Sequence, residues 1–354
     1  MPFKPPMGIS IYKKSKSLKG FTLVVPLRQD RAFLIDMKGN EVHLWKLNEP
    51  GYHGMLLPNG NLFITQQQRE GPPLMAGKGG IIREYDWKGK VIWEHYDENQ
   101  HHDARRLKNG NTIYIAWEVL KKKDQKRVRG GVPNSEAPDG RIYGDVIREV
   151  DPNGSVVWEW RTSEMEIEKY PITPLFHRAE FAHANTVAPL PNGDIMVSFR
   201  VINTIMIINK KTRKIKWEMR DDLFGGQHDS HMLANQNILL FANGHLSPLE
   251  HPHSKILEIN PKNKKRVWEY MADRGMDFFS PHISGAQRLR NGNTLICEGG
   301  FGRIFEVTKK GETVWEFSNP YHQPHPVLGN INWVFRAYRY TASSDEIKRR
   351  VQQN

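Results

Sequence analysis

The chain has 354 residues and a single cysteine, Cys297, which excludes an intrachain disulfide or a thiolate-rich zinc site and suits a reducing compartment. Lys and Arg outnumber Asp and Glu to give a formal charge of +12, a field that favours anionic partners without choosing among nucleic acid, phospholipid headgroups and a sulfated or phosphorylated small molecule. The first residues hold no apolar stretch of the signal-peptide kind and no apolar run approaches the ~18 residues of a membrane span, so an unexported, cytoplasmic protein is expected.

Residues 1–9 read as an extension. Three short apolar segments follow: FTLVVPL from Phe21, RAFLIDM from Arg31 and EVHLW from Glu41. The last of them carries Trp45, and a similar apolar segment with one tryptophan returns at Trp93, Trp158, Trp217, Trp268 and Trp315, roughly every 54 residues. Between tryptophans stands a second signature: LPNGNLFI at Leu57, LKNGNTIYI at Leu107, LPNGDIMV at Leu190, LANQNILLF at Leu233 and LRNGNTLI at Leu289. Asn-Gly flanked by apolar alternation is a hairpin signal, and Asp/Lys-Gly turns ahead of each tryptophan join two further strands. Each unit is thus a four-stranded antiparallel meander of propeller-blade size.

The basic stretch Lys121 to Arg141 interrupts this rhythm and reads as a solvated, mobile loop peripheral to the chemistry, able at most to act as a lid. Near the end, NWVFRAYRY at Asn332 to Tyr340 is a strand with nothing after it to pair, while the N-terminal unit lacks its first strand. Pairing the two closes the ring. The predicted fold is all-β, a six-bladed β-propeller of four-stranded antiparallel blades in one domain over residues 10–340, followed by a polar basic tail, 341–354, that includes Lys348, Arg349 and Arg350.

In such blades the strand ending at the Leu of each LxNG lies innermost, and equivalent positions reach one depth of the channel. His183 and His282 stand seven residues before that Leu; Tyr52, His102, Asn185, His228 and Ser284 stand five before it. Symmetry about each turn places Arg200 opposite Asn185, Asn243 opposite His228, Trp117 opposite His102 and Gln67 opposite Tyr52. One mouth of the channel is therefore expected to gather several histidines, two asparagines, one arginine and aromatic walls. His251, His253, His322 and His325 fall in irregular Pro-containing segments and read as surface.

Two chemistries fit this ring. Neutral imidazoles from His102, His183, His228 and His282 could ligate a divalent metal in a hydrolase or lyase. Alternatively, one imidazole attacks a sulfuryl or phosphoryl group while arginine and the other histidines neutralise its oxygens. Arg200 favours the second, because a guanidinium repels a metal ion and suits an oxyanion, and no metal or cofactor is then required. A non-catalytic propeller whose basic surface binds an anionic partner is the remaining alternative. Carboxylates near the axis are few, mainly Asp103 and Asp229, which disfavours a glycosidase-type pair.

Several segments carry a family resemblance: GFTLVVPLRQDRAFLIDMKGNEVHLW, HHDARRLKNGNTIYI, HANTVAPLPNGDIMVSFR, GQHDSHMLANQNILLFANG and the closing NWVFRAYRY. Over residues 10–340, and in the same order, the chain resembles the bacterial arylsulfotransferases. That resemblance implies a six-bladed propeller moving sulfate from an aryl sulfate donor to a phenol in a ping-pong reaction, without the nucleotide donor PAPS, through a sulfohistidine. By position, His228 of GQHD resembles the transiently sulfated nucleophile, His102 and His183 the histidines that bind sulfuryl oxygens and assist proton transfer, and Arg200 and Asn185 the sulfate-binding pair. Asn243 is expected to orient the His228 ring; His101, which can exchange roles with His102, and His282, Trp117 and Tyr52 are expected to line the substrate site. Small aryl sulfates and phenols are the expected partners, with no nucleic acid.

Overall fold

The computed structural model describes residues 6–68, 70–72, 75–245, 251–348 and 350–351. The expected extension, 1–9, and tail, 341–354, lie partly outside the described residues, and Arg349 falls outside them. The fold is a six-bladed β-propeller, its six four-stranded antiparallel blades formed in chain order. The chain divides into two compact units. The first comprises residues 1–67, 82–94 and 270–354, the second 68–81 and 95–269.

In the first unit, Val334–Tyr340 is the innermost strand of the first blade and pairs antiparallel with Phe21–Pro26, with Phe21 opposite Tyr340 and Val24 opposite Ala337. This is the expected closing strand. A second closing contact was not visible in the sequence. The strand Gly8–Tyr12 adds a fifth strand to the sixth blade by pairing with Thr313–Ser318, so residues 8–26 are tied to the last blade as well as to the last strand. The tail is also docked: Ile347 is fully buried in the core of this unit, and the Arg350 guanidinium donates to the Asn59 carbonyl at 3.0 Å.

The recurring tryptophan has a structural reason. The Trp45 indole N–H donates to the Asp86 carbonyl at 3.0 Å, Trp158 to Lys210 at 2.9 Å, Trp217 to Pro261 at 2.9 Å and Trp315 to Met37 at 3.0 Å. In each case the outer strand of one blade is bonded to the outer turn of the next. A flat indole buries a large apolar face and satisfies its one donor there, which no aliphatic residue could do.

The first and sixth blades are further joined by a fully buried ion pair, Arg339 with Glu306; Arg339 Nε also donates to Thr22 Oγ1 at 3.1 Å. Removing one partner strands the other charge in the core, so Glu306→Ala is expected to cost about 3–5 kcal/mol. Denaturant unfolding of the variant measures this, and a change below about 1 kcal/mol would contradict it.

The hairpins are not centred where the Asn-Gly pair suggests. Leu57, Leu107, Leu190, Leu233 and Leu289 each donate their N–H to the carbonyl four residues on, and the fourth residue of the turn takes a left-handed backbone: φ is +83° at Gly60, +87° at Gly110, +87° at Gly193, +66° at Gln236 and +86° at Gly292. These are three-residue loops of a type I turn ending in a left-handed residue. Symmetry therefore runs through the Asn, half a residue earlier than expected, which shifts every cross-strand partner by one residue. Four of these inner strands then add a β-bulge at the end away from the turn, between Gly51 and His53, His101 and Ala104, Ala184 and Thr186, and His228 and His231, whereas Gly285–Arg288 pairs in unbroken register.

Candidate active site

Those two offsets rearrange the expected pairs. The Arg200 N–H donates to the His183 carbonyl at 3.0 Å, so Arg200 lies opposite His183 rather than Asn185. Trp117 lies opposite Asn99 and stacks on His101, with centroids 4.4 Å apart, rather than facing His102; Gln67 faces Pro50 rather than Tyr52. His228 pairs with Phe241, not Asn243, although the Asn243 side chain still reaches it. A bulge inserts one unpaired residue and turns the neighbouring side chains. Here it aims the histidines: φ is +52° at His102 and +56° at His183, backbone conformations that only surrounding contacts can hold in place.

His101, His102, His183, Asn185, Arg200, His228 and Asn243 all belong to the second unit. Tyr52 and His282 belong to the first. There Tyr52 is buried against Phe335, Leu27 and Ile283, and His282 packs edge-on against Trp333, with centroids 4.5 Å apart.

Within the second unit the segment GGQHD is clamped from several sides. Gln227 Nε2 donates to Ser198 Oγ at 3.2 Å and to the Phe199 and Thr204 carbonyls at 3.0 and 3.1 Å, while its own carbonyl accepts from Asn185 Nδ2 at 2.7 Å. Asn185 thus holds the residue next to His228. Gly225 is required, because a Cβ there would lie 2.4 Å from the Gly244 backbone. His228, only 2% exposed, has Nδ1 3.0 Å from the Gly226 carbonyl and 2.8 Å from Asn243 Oδ1. A backbone carbonyl only accepts, so Nδ1 carries the proton and the lone pair resides on Nε2.

His102 is buried and meets His183 edge-on, with centroids 4.7 Å apart; its Nδ1 lies 2.7 Å from His101 Nδ1, so one ring donates and the other accepts. Burial first, then His183, His101, His228 and Arg200, hold the His102 imidazole well below its ordinary basicity. His101 is pushed down to about 3, chiefly by burial. Both rings are neutral near pH 7.

Gly77 packs against this ring. Its φ is +89°, and a Cβ on it would lie 1.9 Å from His102 Cε1. Gly77→Ala is therefore expected to displace His102 and lower turnover by about 10²-fold, the usual cost of an ångström-scale shift of a catalytic group. Steady-state rates beside a melting curve test it; wild-type turnover would contradict it.

A cavity of about 410 Å³ opens beside the cluster, lined by His183, Arg200, Glu180, Phe176, Met75 and His245 among others. The Arg200 guanidinium lies over the Phe176 ring, 4.7 Å from its centroid. His245 is pushed down to about 4 by burial and by Arg200. Glu180, His245 and Phe176 escaped the sequence reading. His245 directly follows the FANG motif, a signal that could have been used, but Glu180 and Phe176 sit in an irregular segment outside the repeat. Among the described residues, no three or more His, Cys, Asp or Glu side chains are arranged to hold a metal ion.

The basic insertion is not a solvated strand of chain. Val128 and Ile142 join the core of the second unit, Ala137 packs with Trp117 and Tyr143, and Arg178 donates to the Gly130 carbonyl at 2.6 Å. Its lysines are exposed while Asp124 is buried, and its Ala137 packs on Trp117, the ring stacked on His101.

A sequence model of the arylsulfotransferase (ASST) family matches residues 53–320, most of the chain. The protein belongs to the arylsulfotransferase family. Arylsulfate sulfotransferase AssT of Escherichia coli is 32% identical over 91 residues, a match covering 23% of this chain and 15% of that protein. The chain thus matches well under two thirds of that relative's length. A crystal structure of a protein of unknown function from Bacteroides caccae shares the fold, with a TM-score of 0.57, 12% identity and coverage of 91% of this chain and 99% of that one. Also similar is a streptogramin B lyase structure, with a TM-score of 0.49, 11% identity and coverage of 96% and 95%. In this arylsulfotransferase relative, no helix among the described residues is long and apolar enough to cross a membrane.

Proposed function

We propose that the protein transfers a sulfuryl group from an aryl sulfate to a phenolic acceptor in a ping-pong reaction with His228 as the nucleophile. One observation carries the reading: the Gly226 carbonyl, seconded by Asn243, fixes the His228 proton on Nδ1 and so puts a lone pair on Nε2 of a buried, immobilised ring. A neutral, oriented imidazole is what attack on sulfur requires.

In the first half-reaction the His228 Nε2–S bond forms as the aryl O–S bond breaks, and the aryl oxygen leaves with the electron pair. Arg200 meets the charge that spreads over the sulfuryl oxygens, and neutral His102 can donate a hydrogen bond to them. Asn185 and Gln227 hold the peptide that carries His228 in place. In the second half-reaction the acceptor oxygen attacks the same sulfur and Nε2 recovers its electron pair. The apolar and aromatic lining of the cavity, Met75 and Phe176 in particular, suits an aryl ring beside Arg200.

Incubation with a chromogenic aryl sulfate and no acceptor tests this. A stoichiometric burst of phenol, with a mass increase of one sulfuryl group on the peptide holding His228, is expected. Phenol release with that peptide unmodified would rule out the covalent route.

A further inference from the structure

We propose, on the reading of His228 as the sulfuryl acceptor, that Glu180 and His183 form a carboxylate–imidazole dyad in which His183 takes the proton of the incoming phenol and Glu180 is its positioning residue, which equips the site for weakly acidic phenols. Glu180 is a puzzle in a site that otherwise favours anions. It is 6% exposed, lines the same cavity as Arg200, and would repel a sulfate unless its charge were engaged.

The geometry engages it. Glu180 Oε2 is in contact with His183 Nδ1. Its backbone is pinned on both sides, the Tyr143 N–H donating to the Ala179 carbonyl at 2.9 Å and the Phe181 N–H to the Tyr143 carbonyl at 2.7 Å. Between the two partners the chain turns through consecutive left-handed residues, φ +72° at Ala182 and +56° at His183, which fold the imidazole back over the carboxylate three residues earlier. Strain of this kind persists where surrounding structure enforces it, commonly at functional sites.

With Nδ1–H donated to the carboxylate, the lone pair of His183 sits on Nε2. The groups facing the dyad are His101, His102, Arg200 and Asp145. Burial pushes the Glu180 carboxyl up, but His183, His101 and Arg200 together hold it below its ordinary value, so it stays ionised; Asp145, which faces it, is pushed up by burial and by the Glu180 charge. His102 faces His183, His101, His228 and Arg200, which with burial hold it well below its ordinary basicity. His183 is the ring in contact with the Glu180 carboxylate.

The step balances. The acceptor O–S bond forms as the His228 Nε2–S bond breaks, the electron pair returns to Nε2, and the phenolic proton moves to His183 Nε2, giving an imidazolium paired with the Glu180 carboxylate. In the next cycle that proton passes to the departing aryl oxygen.

The test uses 4-nitrophenyl sulfate, whose leaving group needs no proton, and acceptor phenols of graded acidity. Glu180→Gln is expected to release a burst of 4-nitrophenol yet to lose about 10²–10⁴-fold in the rate with weakly acidic phenols, the usual size of general-base assistance, and only severalfold with phenols ionised at the assay pH. Raising the pH towards the acceptor's own pKa should recover the variant. His183→Asn should show the same acceptor dependence, which serves as the test if the Gln variant fails to fold. An equal loss with every acceptor would mean a structural role and overturn the proposal, as would loss of the burst in Glu180→Gln. No burst and no modified peptide in the wild type would instead remove the sulfohistidine reading itself, and the dyad with it.

Discussion

His228→Asn is expected to abolish the burst of phenol from an aryl sulfate while leaving the melting temperature within a few degrees of wild type. The substitution keeps a polar side chain of similar reach at the start of the His228–Met232 strand, where Gln227, Asn185 and Thr186 hold the backbone, but removes the nitrogen that forms the bond to sulfur. The loss should exceed that of Arg200→Ala, expected at about 10²–10³-fold, because the arginine supplies one charge-assisted contact and not the bonding atom. Asn243→Ala should fall between wild type and these. It removes an acceptor at Nδ1, and the Gly226 carbonyl remains to hold the tautomer. Stopped-flow release of a chromogenic phenol separates the three; a burst in His228→Asn equal to that of wild type would place the nucleophile elsewhere.

Deletion of residues 332–354 is expected to give aggregated or unfolded protein. It removes the innermost strand of the first blade, and with it every hydrogen bond from Val334–Tyr340 to Phe21–Pro26. It also strands Glu306 without Arg339 and empties the space filled by Ile347. An unpaired inner strand is an open sheet edge in the middle of a core, the arrangement most prone to pair with another chain. Size-exclusion chromatography and thermal melting would show it, and a monomer with an unchanged melting profile would contradict the closing role of the strand.

Much of this fold is legible in the sequence because each blade's information is local. A tryptophan, an Asn-Gly turn and an Asp/Lys-Gly turn lie within one repeat and announce their strands. The histidines were legible for the same reason, since they stand at fixed distances from the Leu of each turn. Their partners were not. Loop length shifts the pairing by one residue and the bulges by one or two, and neither leaves a clear mark on the apolar alternation, so the sequence pairs Arg200 with Asn185 where the structure pairs it with His183.

Glu180 was invisible for a different reason. It sits in a stretch of 3₁₀ turns and irregular chain between the third and fourth blades, where no periodicity reports which way a side chain faces. Composition misled in the basic insertion, where a high density of Lys and Arg hid the few apolar residues, Val128 and Ala137 within it and Ile142 just after it, that anchor it. The docking of the polar, basic tail was hidden likewise, because it rests on a single buried Ile347 among charged neighbours.

The pairing of Gly8–Tyr12 and Phe21–Pro26 with partners near the other end of the chain also sets a timetable for synthesis. Both strands are made about 300 residues before their partners exist. At roughly 5–20 residues per second that is a delay of about 15–60 s. Throughout it the nascent chain carries an apolar β-segment with one side unclaimed, so the first blade is the last to be finished. Slow translation or a stall before Asn332 should therefore be felt at these two strands, as a demand for chaperones that hold them apart from those of other chains.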